Sequence, residues 1–127
     1  MPEPILSAED RAAFAKGLAQ FNDRHFFECH DTLEELWSGV RGVPRGFFQG
    51  LIQVAVGFHH LGNGNQAGAV TMLRRSLERL APYPPRYAGV ELESLRAAVG
   101  EWLGALETGA DAPPEPPRIE SLGGEPA

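Results

Sequence analysis

Apolar residues recur at helical rather than strand spacing along most of the chain. Phe14, Leu18 and Phe21 step by one helical turn behind Ser7 and Asp10, which resemble a capping box with the shorter acid, so a first helix is expected to about Gln20. The stretch FNDRHFFECHDTLEELW, Phe21 to Trp37, then predicts a second helix from about Phe26 to Ser38, ended by Gly39, Gly42 and Pro44. A third runs from about Arg45 to Leu61 and stops at the GNGN break. Ala69, Met72, Leu73, Leu77 and Leu80 mark a fourth, with Arg74, Arg75 and Arg79 outward, and Pro82, Pro84 and Pro85 end it. Leu92, Leu95, Val99, Trp102 and Leu106 form one clean stripe, giving a last helix from about Glu91 to Glu107. No strand pattern is visible. The expected class is therefore all-α: a compact single-domain bundle of about five helices over residues 1–108, followed by a proline-rich flexible tail over 109–127.

The third helix is apolar over most of its circumference, through Phe47, Phe48, Leu51, Ile52, Val54, Ala55 and Phe58, which predicts that it is central. Its polar residues Arg45, Gln49, Gln53 and His60 share one sector, beside a strip of Gly46, Gly50 and Gly57 on which a neighbouring helix could approach closely. A weak internal echo pairs Asn22 with Asn65 and Phe26 with Ala69, hinting at two helical hairpins. In that register His30 and Glu34 correspond to Leu73 and Leu77, which would turn them inward.

Composition adds exclusions. The 127 residues suit one domain, and a hydrophobic fraction of 43% with 22% charged residues is an ordinary globular balance. A lone cysteine, Cys29, no export signal and no apolar run long enough for a bilayer point to a cytoplasmic protein without a membrane partner. The net charge of −6 offers no basic surface for nucleic acid.

Candidate chemistry centres on the second and third helices. His30 and Glu34 lie one turn apart at the edge of an apolar face, where the plain reading is a histidine bonded to a glutamate; Glu28, Asp31 and Glu35 point to solvent. Should they meet the third helix, three chemistries are open. His30, Glu34 and His60 would offer two imidazoles and a carboxylate to a divalent metal. His30 and Glu34 would act as a metal-free acid–base pair around a small ligand held by Arg45, Gln49 and Gln53. Alternatively the cluster is structural, with Arg45 paired to Glu34. His59 reads as a packed core histidine and Cys29 as an inert buried thiol.

Three ordered motifs, FNDRHFFECHDTLEELW, RGFFQGLIQVAVGFHHLGNGNQAGA and YPPRYAGVEL, resemble the bacterial and archaeal family known as domain of unknown function 309, over Phe21 to about Leu95. Glu28, His30, Glu34, Trp37, Arg45, Gln49, Gly50, Gln53, His60, Gly64 and Asn65 fit that family's pattern, whereas Asp31 replaces its more usual glutamate. The resemblance implies a small, all-helical, cytoplasmic protein and brings no assigned activity. The leading expectation is a module that binds a small ligand or a protein partner through the polar cluster. The alternative is a hydrolase-like, metal-dependent or acid–base enzyme using His30, Glu34 and His60.

Overall fold

The computed structural model describes residues 1–121; the part of the expected tail over 122–127 lies outside the described residues. Helix α1 (Ala8–Asn22) starts where the Ser7 side chain accepts from the Asp10 amide at 3.0 Å. Helix α2 (Phe26–Ser38) has the expected bounds. Helix α3 (Val43–Gly62) begins earlier than expected, because Gly42 takes φ 75° and Pro44 occupies the first turn, where a missing amide proton costs nothing. Helix α4 (Gln66–Leu80) is capped by Asn65, whose side chain accepts from the Gly68 amide at 2.9 Å, and helix α5 (Leu92–Thr108) ends on a left-handed Gly109. Five helices thus form the bundle, as expected, and α3 is its centre.

Two hairpins, α1–α2 and α3–α4, turn in the same way. Arg24 at φ 69° corresponds to Gly64 at φ 77°, and the His25 amide bonds to Gln20 as the Asn65 amide bonds to His60. In each hairpin a leucine closes on a glycine: added Cβ atoms at Gly17 and Gly57 would lie 2.6 and 2.7 Å from Cδ2 of Leu33 and Leu73. This register corrects the echo read from the asparagines. Leu73 answers to Leu33, so His30 answers to Val70 and Glu34 to Arg74, and neither is turned into the core.

The glycines Gly46, Gly50 and Gly57 do form a close-approach strip, occupied by α4 and the turn that follows it: added Cβ atoms would meet Tyr83, Leu80 and Leu73. Opposite lies an aromatic core in which Phe47 packs on Phe14, Phe48 and Tyr87, and Phe58 on Phe21 and Trp102. Each fully buried side chain of this size contributes about 1.5–3 kcal/mol relative to exposure.

Two features depart from expectation. Strand β1 (Arg86–Tyr87) pairs antiparallel with β2 (Val90–Glu91) across Ala88 and Gly89, both at positive φ as a tight hairpin turn requires. Two-residue strands are too short to show an alternating pattern. The segment after Gly109 is also not a free tail as far as Ser121. Ile119 is 1% exposed, its backbone bonds to Asn22, and Ser121 bridges to Val90. The buried Ile119 and Pro117 and a row of hydrogen bonds to the backbone offset the ordering entropy that the polar composition leaves unmet.

Candidate functional site

On α3 the polar residues Arg45, Gln49, Gln53 and His60 are all half-buried, in the sector between the sides taken by α2 and α4. They share a face but serve different neighbours. Arg45 turns to α2: its guanidinium sits 3.9 Å from the Trp37 ring centroid and donates to the carbonyls of Trp37 at 3.1 Å and Val40 at 3.0 Å. It thereby satisfies acceptors at the C-terminal end of α2, where a cation is also favoured by the helix dipole. The expected Arg45–Glu34 ion pair does not form.

Glu34 is 56% exposed, and its partner is His30, with Nε2 3.6 Å from the carboxylate; the other ring nitrogen of His30 lies 3.3 Å from Asp31. His60 faces Asn65, ring nitrogen to carboxamide nitrogen at 3.4 Å, so it supports the α3–α4 turn. The three expected metal ligands are therefore not brought together. Among the described residues, no group of three or more His, Cys, Asp or Glu side chains is arranged to hold a metal ion. The physical reason lies in placement: His30 and Glu34 share an exposed edge of α2, while His60 is drawn to the far turn of α3. His59, expected in the core, is half-exposed instead; it packs on the exposed Phe27 ring and lies 3.2 Å from the Asn63 carboxamide. Cys29 is fully buried, and burial pushes its thiol up to about 12, as an inert thiol requires.

Gln53 turns to α4. It borders an open cleft of about 500 Å³ together with Gly46, Arg75, Glu78, Arg79, Pro82 and Tyr83, a size suited to a small molecule. Its Oε1 atom is buried without a hydrogen-bond partner, as is Trp37 Nε1. Arg74 pairs with Glu107 and Arg96 with Glu93, whereas Arg75 and Arg79 have no acidic partner within ion-pair range among the described residues. The Tyr83 hydroxyl donates to the Val43 carbonyl at 2.5 Å, and burial raises its pKa, so it stays protonated at the cleft wall. Sequence reasoning set Arg75 and Arg79 aside as outward residues. The usable signal was the glycine strip, since the helix that docks there must present its flank beside Gln53. A larger cleft of about 750 Å³, lined mainly by apolar residues such as Phe14, Leu18 and Ile5, lies along α1. His30 and Glu34 line neither cleft.

With this geometry in view, comparison with known proteins is informative about family and silent about chemistry. Residues 14–72 match the family model described as Domain of unknown function (DUF309). The resemblance carried by the first two motifs is borne out over that stretch, which holds α2, α3 and the α3–α4 turn. An uncharacterized protein of Aquifex aeolicus (strain VF5) is 30% identical over 96 residues, covering 75% of this chain and 28% of that protein. The uncharacterized protein YpuF of Bacillus subtilis (strain 168) is 36% identical over 70 residues, covering 54% of this chain and 40% of its own. The chain thus spans well under half the length of either relative. No helix among the described residues is long and apolar enough to cross a membrane.

Proposed function

We propose that this small helical domain is a binding module and that the α3–α4 cleft is its ligand site. The observation that carries the reading is that Gln53, whose buried Oε1 has no partner among the described residues, lines a cleft that also presents Arg75 and Arg79, neither of which has an acidic partner within ion-pair range among those residues. A buried carbonyl oxygen left without a donor costs about 1–3 kcal/mol, which a ligand N–H or O–H would recover once the Gln53 carboxamide turns toward the cleft. Two guanidinium groups one turn apart favour an anionic group through paired, charge-assisted hydrogen bonds. The fitting ligand is a small molecule that carries a carboxylate or phosphate and a hydrogen-bond donor. The hydrolytic alternative has less support, since His30 and Glu34 line neither cleft and, among the described residues, no group of three or more His, Cys, Asp or Glu side chains is arranged to hold a metal ion.

A thermal-shift screen of small carboxylates and phosphates, run on the wild type, on Gln53→Leu and on the Arg75→Ala/Arg79→Ala double variant, tests this. At least one compound should raise the wild-type midpoint with dose and leave the double variant unmoved. A screen in which no compound shifts the wild type, or in which both proteins shift alike, would overturn the reading.

A further inference from the structure

The segment that follows α5 is held as a bound peptide is held. The Asn22 carboxamide grips the Ile119 backbone at two points, donating from Nδ2 to its carbonyl at 3.1 Å and accepting at Oδ1 from its amide at 2.8 Å. Arg24 donates to the carbonyls of Pro116 at 3.1 Å and Pro117 at 3.4 Å and pairs with the Glu115 carboxylate at 3.2 Å. The Trp102 indole donates to the Glu115 carbonyl at 3.1 Å. Downstream, the Glu91 amide donates to the Glu120 carbonyl at 2.9 Å and Val90 forms one isolated antiparallel bridge to Ser121, so the end of the segment lies extended along β2.

All but one of these polar contacts reach backbone atoms. They select an extended chain rather than a sequence, and the side-chain selectivity comes from Ile119, 1% exposed, and the buried Pro117. Strand addition with an apolar anchor is a recurrent way of recognising peptides. The connection is correspondingly loose: Ala110, Asp111, Ala112 and Pro114 are exposed, and the Ala110 amide bonds only to Thr108 within the adjoining helix end. Asn22 and Arg24 belong to the FNDRHFFECH motif and take no part in the α3–α4 cleft.

We propose that the groove formed by Asn22, Arg24, Val90, Glu91 and Trp102 is a peptide-binding site, filled in cis by residues 115–121. Its other occupant is an extended, proline-containing segment of a partner protein, with a branched apolar residue in the place of Ile119. A short tether gives the cis segment an effective concentration of about millimolar, so a competing peptide gains access only when its own affinity or abundance exceeds that, or when the strap is released. Local opening exposes one large apolar side chain and breaks a handful of hydrogen bonds, which places it below global unfolding in free energy.

The test uses the full chain and a labelled synthetic peptide, PPEPPRIES. Fluorescence anisotropy should show Ile119→Asp binding the peptide at least tenfold more tightly than the wild type, with the gain lost when Asn22→Ala is added. In the wild type, hydrogen exchange at the Ile119 and Glu91 amides should proceed by local opening, faster than at Leu51 in α3; this measurement stands even if Ile119→Asp fails to fold. The proposal is overturned if those amides exchange only with global unfolding, or if folded Ile119→Asp binds no better than wild type. A strap-exchanged dimer of the wild type, seen as a doubled mass, would also overturn it, since the occupant would then be a second copy.

Discussion

Arg45 holds Trp37 by both ends: its guanidinium stacks 3.9 Å from the indole centroid while donating to the backbone carbonyl of the same residue at 3.1 Å. A lysine cannot do both, because its ammonium is a point charge without a planar fork. Stacking of this kind is worth about 0.5–2 kcal/mol and a charged hydrogen bond about 1.5–3 kcal/mol, discounted here because Arg45 is half-exposed. Arg45→Ala is therefore expected to lower stability by about 2 kcal/mol and Arg45→Lys by about half as much. Urea unfolding of the three proteins checks this, and an Arg45→Ala midpoint equal to the wild type would refute the clamp.

Glu34 should behave in the opposite way. Its only ion-pair neighbour among the described residues is His30 on the same helix, and both it and Asp31 are well exposed. An exposed pair one turn apart contributes about 0.3–0.5 kcal/mol. Glu34→Gln is expected to change stability by no more than about 0.5 kcal/mol, with or without added divalent metal. A loss of several kcal/mol would show that the carboxylate balances a buried charge.

The difference between these two residues shows what was legible in the sequence. The helical period placed α2 at its observed bounds and made α3 central, because apolar spacing reports burial directly. It also grouped Arg45, Gln49, Gln53 and His60 on one sector. What the period does not encode is which neighbour each long side chain reaches: Arg45 reaches α2, Gln53 lies beside α4 and His60 faces its own turn. The asparagines misled in a specific way: Asn65 caps α4, whereas Asn22 leaves its helix hairpin to grip Ile119, so aligning the two sets the repeat out of register. The strap was illegible because its partners are far away in sequence and read its backbone, leaving one isoleucine as the visible trace.

The glycines give a pair of predictions with opposite signs. At Gly50 an added Cβ would lie 2.6 Å from Leu80 Cγ, in a fully buried contact, so α4 must move. Overpacking of this kind costs about 1–3 kcal/mol, more than the gain of about 1 kcal/mol in helix propensity. Gly50→Ala should destabilise. At Gly104 in α5 nothing lies within 4 Å of an added Cβ, so Gly104→Ala should keep the propensity gain and stabilise by about 0.5–1 kcal/mol. Thermal melts of both variants decide it; a stabilised Gly50→Ala would mean that the α3–α4 approach is looser than the strip implies.

Cys29 makes alkaline stability testable. Burial raises its thiol from 9.0 to about 12 in the folded protein, with the Phe21 backbone opposing the shift weakly. Below about pH 9 the thiol is protonated in both folded and unfolded chains, and the protein keeps the full benefit of burying it neutral. Above that, the unfolded chain loses the proton while the folded one retains it, so stability falls by at most about 1.4 kcal/mol per pH unit until the folded thiol also titrates. The same sign applies to Tyr83 and Tyr87, both raised by burial from 10.0, but their contribution begins about one unit higher. Urea midpoints at about pH 8 and pH 10 should therefore fall more for the wild type than for Cys29→Ala, whatever the variant's own loss of packing at pH 8. At pH 8, alkylation of native Cys29 by iodoacetamide should be limited by opening of the fold and speed up sharply in urea. Equal alkaline losses in the two proteins, or rapid alkylation of the folded chain, would show that the thiol is not held in the α1–α2 core.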